Sequence, residues 1–160
     1  MALFRREQVV SNLGVGPDPD DAPATLRAKV VELNRFVNSS AGRLPGEAVV
    51  AARQVTDIIG QVIDTSDVRE LDVYAVVSIK GILGDYLPTT LKAFLALDAS
   101  QVDVARPSGR TPTDSLLEQL ESLRGAAAQI LVAARAQDAD ALMSQGAFLR
   151  TKYSGSDLDL

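Results

Sequence analysis

Hydrophobic residues recur along this chain at the three-and-four spacing of an α-helix, separated by short clusters of Gly, Pro, Asp and Ser. The plainest case is the row Leu116, Leu120, Leu123, Ala127, Ile130 and Ala134. Its alternating steps of four and three put one apolar stripe along a single neighbour. Small side chains at Ala126, Ala127 and Ala128 let that neighbour come close, and Thr111 or Thr113 supplies an N-cap. A second row, Leu26, Val30, Leu33 and Val37, predicts a helix running to about Asn38, with Asp21 as N-cap and Pro23 at the first helical position. A third helix opens at Pro45 and Glu47 and runs to about Asp64, with a broad apolar face of Val55, Ile58, Ile59, Val62 and Ile63. Gly60 within it costs about 1 kcal/mol against Ala, which predicts a close packing contact as its reason. The segment 64–67 (DTSD) reads as a turn and cap.

From Val68 to Leu97 the chain is apolar nearly all round, the pattern of a central or interface helix. Gly81 and Gly84 lie about one turn apart and predict the close approach of another backbone. Pro88 lacks an N–H and would meet the carbonyl of Gly84, so the helix should kink or break near Tyr86–Leu87. A short helix over 89–97 should follow, carrying Leu91, Phe94 and Leu95. Around Gln137–Asp140 the helix should end or bend, and residues 138–152 continue as helix with Leu142, Phe148 and Leu149. Residues 2–13 can make a short helix with Leu3, Val10 and Leu13 on one side. Residues 14–22 and 98–112 read as loops, the second with the composition of a disordered segment, and 154–160 as a mobile tail. No run alternates like a strand over more than four residues. The expectation is one all-α domain over 1–160, a bundle of about four main helices with short accessory helices.

Composition narrows the chemistry. The chain has no His, no Cys and no Trp. That removes the usual neutral-pH base, the thiol nucleophile and most zinc, haem and iron–sulfur ligation. Aromatic residues are 4%, so the core must be Leu, Val, Ile and Ala. A net charge of −5 with no basic helix face argues against a nucleic-acid partner. No apolar run approaches the ~20 residues of a membrane span, and a cytoplasmic protein is expected. Arg5 and Arg6, beside Leu3 and Phe4, would add about 1 kcal/mol each at an anionic membrane, which is marginal alone.

Candidate chemistry is thin. Asp18, Asp20 and Asp21 lack the Gly and terminal Glu of a calcium loop. The carboxylates Asp57, Asp64, Asp67, Glu70 and Asp72 are the one group in the sequence suited to acid–base work or a divalent metal. Carboxylate sites in bundles normally add a Glu-x-x-His pair, and here there is no His. Ser78 with Lys80, the tyrosines Tyr74, Tyr86 and Tyr153, and Gly14-Val15-Gly16 form no recognisable catalytic or phosphate-binding set. The tail Asp157-Leu158-Asp159-Leu160 resembles a short recognition motif.

The segment DYLPTTLKAFLALD, residues 85–98, resembles a Tyr-Leu-Pro-x-Thr-Leu pattern in the bacterial bromo-chloro-indolyl phosphate hydrolysis family, found near toxic-anion and tellurite resistance functions. AFLRTKYSGSDLDL is a vaguer echo. The resemblance implies phosphate-ester hydrolysis but brings no catalytic residue set. It leaves Tyr86, Leu87 and Pro88 a structural role.

The expected function is therefore a non-enzymatic helical protein that binds another protein or itself, with Tyr86, Leu87, Leu91 and Phe94 as contact residues. No catalytic, metal or cofactor residue is assigned. The alternatives are a hydrolase or metal-dependent enzyme using the carboxylates of 57–72, and peripheral membrane association through residues 1–13.

Overall fold

The computed structural model describes residues 18–153. The predicted helix over 2–13, residues 14–17 of the first loop, and the tail 154–160 lie outside the described residues. The rest is all-α, and no strand occurs among the described residues. Helix α1 is Pro23–Ser39 and α2 is Gly46–Asp64. Helix α3, Val73–Gly81, runs through a π-helical turn, Ile82–Tyr86, into α4, Leu87–Leu95. Helix α5 is Pro112–Ala136 and α6 is Ala139–Tyr153.

The most extensive packing joins α2 to α5. Helix α1 also packs on α2, α4 packs on α5, and α6 packs on both α5 and α3. The predicted seams supply the buried faces. Leu116, Leu120, Leu123, Ala127 and Ile130 are fully buried on α5, as are Val55, Ile59, Val62 and Ile63 on α2. Leu26, Leu33 and Val37 do the same for α1, with Val30 half-buried. One buried polar pair sets the α1–α2 register: Thr56 Oγ1 donates to Asn34 Oδ1 at 2.6 Å. At the bundle end, Arg27 on α1 reaches Asp64 at 3.3 Å and Asp67 at 3.1 Å.

Several expectations need correction. Asp21 does not cap α1. Ala22 holds that position with no side-chain cap, and Asp21 closes a 3-10 turn, Pro19–Asp21, that Asp18 caps. With Pro23 at the first turn one orphan donor is already gone, so α1 starts without a polar cap. The apolar stretch does not become helix at Val68. Residues 68–72 are non-helical, and Asp72 caps α3 by accepting the Tyr74 N–H at 2.8 Å. Of the kink or break expected near Tyr86–Leu87, Pro88 does not break the helix. The preceding turn widens to π geometry, in which the Leu87 N–H reaches the Ile82 carbonyl, and helix continues through Leu95.

The glycines also differ. Nothing lies within 4 Å of a Cβ built on Gly60 or Gly84. At Gly81 the close neighbour is a ring, with such a Cβ 2.7 Å from Tyr86 Cε2. The loop 98–112 is tied down: Asp98 accepts from Ser100, the Thr113 N–H reaches Val102 O at 3.1 Å, and Arg106 pairs with Arg110 across a tight turn. Thr111 and Asp114 then form a reciprocal capping box on α5.

Candidate functional site: an apolar face beside an acidic cavity

Tyr86, Leu87, Leu91 and Phe94 all lie in the hydrophobic core. Leu87 and Leu91 have no exposed surface, and Tyr86 wedges its ring between Gly81 and Tyr153. These four side chains hold α4 to the bundle, and none presents a surface to a partner in this fold. Burial pushes the phenols of both Tyr86 and Tyr153 above the ordinary range. The Tyr153 hydroxyl is satisfied by donating to Gln119 O at 2.9 Å.

The carboxylates of 57–72 do not converge. Asp64 and Asp67 share Arg27, Asp72 caps α3, and Asp57 faces solvent on α2. Among the described residues no three of His, Cys, Asp and Glu come together as a metal-binding group. Ser78 and Lys80 diverge as well. Ser78 is buried against Gly146 of α6 with its hydroxyl unpartnered, whereas Lys80 turns to Asp21 at 2.7 Å.

Among the described residues, the outer side of α3 is an uncovered apolar surface. Val73 is 64% exposed, Val77 53% and Tyr74 39%. The helical period explains this. Ala75, Val76, Ile79 and Ile82 face inward, so Val73 and Val77, one turn apart, must face out. Ser78 meets Gly146, and Tyr86 meets Tyr153 further on, so α3 and α6 run side by side in the same direction. Met143, one turn before Gly146 on α6, is also exposed.

The row ends in a cavity of about 450 Å³ whose floor includes Val73, Val76 and Leu71 and whose walls include Ala22 and Pro23. Its polar members are chiefly acidic: Asp18, Asp21 and Glu70. The hydrogen bond from Lys80 to Asp21 is the main reason the ammonium is held above its usual range, and Asp18 and Asp20 push the same way. One lysine thus sits in the field of three aspartates. This arrangement suits an apolar side chain flanked by a cation.

The exposed row was missed in the sequence because α3 is apolar nearly all round. The available signal was that Val73 and Val77 lie opposite the face of Ala75, Ile79 and Ile82. No helix among the described residues is long and apolar enough to cross a membrane. No family model, no curated protein and no solved structure matches the chain.

Proposed function

We propose that this chain is a non-enzymatic helical protein that acts by holding a segment of another protein on the outer face of α3. The observation that carries the reading is the exposed row Val73, Tyr74 and Val77 running into the acidic cavity. Single exposed apolar residues are ordinary, but a contiguous row beside a concave apolar floor is the form of a docking surface. The fitting partner is an amphipathic helix with an apolar ridge for the valines and an Arg or Lys for Asp18 and Glu70. The net charge of −5 fits a protein partner better than a nucleic acid, and a cytoplasmic location goes with this reading.

The dispersed carboxylates supply no paired acid and base, which counts against the hydrolase alternative. The resemblance over 85–98 adds no residue to the site. Its Tyr86, Leu87 and Pro88 are the residues that shape and lock the π turn.

Affinity capture from cell lysate with three full-length forms tests the reading: wild type, Val77→Glu, and Val50→Glu as a control exposed on α2. Proteins held by wild type and Val50→Glu should be lost with Val77→Glu, while all three keep the same circular dichroism. Capture indifferent to Val77→Glu would remove the α3 face from the function.

A further inference from the structure

We infer that the hollow between α1 and the π turn is a binding site for a small apolar molecule carrying one acidic group. The site goes beyond the docking reading above and shares no residue with the acidic cavity beside α3. Helix α1 and the run from α3 through α4 lie side by side in the same direction. Lys80 meets Asp21, just before α1, at one end. At the other end Arg43, just after α1, donates to Leu95 O at 2.8 Å. Between these two ties opens a cavity of about 340 Å³. Small-molecule sites run from roughly 300 to 1,000 Å³.

The π turn forms one wall. It sends the Leu87 N–H to the Ile82 carbonyl, and Pro88 has no N–H to give. The carbonyls of Leu83 and Gly84 thereby lose the donors that an unbroken α-helix supplies. Such turns are rare and recur at functional sites. Gly84 lines the cavity with no positive φ to explain a glycine there, and nothing lies within 4 Å of a Cβ built on it. The space beside Gly84 is therefore open to a ligand.

The lining fixes the ligand's chemistry. Leu33 and Phe36 of α1 face Leu83 and Pro88 across the cavity and suit an apolar body. Lys92 stands at the rim with its ammonium 5.6 Å from the centre of the Phe36 ring. Lys29 adds a second cation, against the single carboxylate of Glu32. Two cations and one anion leave a local positive excess on a chain of net charge −5. Lys92 takes the acid group, and Lys29 outweighs Glu32 in the field around it.

Fluorescence titration of the full-length protein with anilinonaphthalene sulfonate tests the inference. This probe is an aromatic body with one sulfonate, and it brightens on apolar surface. Wild type should bind it saturably. Decanoate should displace it, and decyltrimethylammonium at the same concentration should not. Gly84→Leu fills the hollow and should abolish saturable binding. Lys92→Gln should weaken it severalfold, whereas Arg35→Gln, exposed on α1 outside the cavity lining, should match wild type. All forms should keep the same circular dichroism.

The inference falls if wild type shows no saturable binding, or if Gly84→Leu or Lys92→Gln binds as wild type does. Equal displacement by the two decyl compounds would overturn it as well. Binding lost with Val77→Glu and kept with Gly84→Leu would place the probe on the α3 row. That result would end the inference and leave the docking reading standing.

Discussion

Gly81 is the residue whose smallness the fold most plainly uses. A methyl there would meet the Tyr86 ring, which also packs against Tyr153 with centroids 5.7 Å apart. Gly81→Ala should therefore destabilise by about 1–3 kcal/mol through overpacking. Gly60→Ala, in open space within α2, should instead stabilise by roughly 0.5–1 kcal/mol. Urea unfolding of the two variants checks the contrast, and equal shifts would refute it. The same tyrosines give a pH dependence. In the folded chain burial holds both phenols protonated beyond the ordinary value of 10.0. The unfolded chain releases those protons near that value, so stability is complete below it and falls as pH rises past about 10. Thermal melts at rising alkaline pH should show this decline, and the Tyr86→Phe/Tyr153→Phe double variant should flatten it.

Among the helices, stability depends on how each one starts. Helix α5 has a full capping box at Thr111 and Asp114, and Thr111→Ala should cost about 1 kcal/mol. A change in melting midpoint no larger than that of an exposed surface control would contradict this. Helix α5 was also the element most legible in the sequence. Its seam, its cap and its end near Gln137 could all be read, because a long row with one apolar stripe has a single way to pack. Gln137 does close it, at a φ of 55° in the left-handed region. The stretch from Val68 to Leu97 was legible only in part. Periodicity identifies a face only when some other face is polar, and α3 offers little polar contrast. The widened turn at Ile82–Tyr86 has no sequence mark beyond Pro88, which announces a conflict without saying how it resolves. Tyr86, Leu87, Leu91 and Phe94 are large and apolar, a property that contact surfaces share with cores. The exposed valines have the same apolar character and the sequence does not set them apart.

The whole molecule is organised around α5, which joins α2, α4 and α6 into one core. The long connection before it, residues 98–111, is exposed except around Val102 and Thr111, and its own turns hold it in shape. That places α1 to α4 in the first stretch of the chain and α5 and α6 in the second, with only this strap between them. The bundle is thus made of two separable pieces that recognise each other through buried leucine, isoleucine and alanine. Cutting the gene between Val104 and Ala105 leaves the Thr113–Val102 bond on its two partners and severs no helix. The two pieces, co-expressed, should copurify one-to-one and regain the helical signal of the intact protein. Each alone would expose the α2–α5 contact to water and should be insoluble or unfolded. A chain divisible in this way stores the instructions for its fold in the buried contact itself, so the covalent link between its halves could be dispensed with.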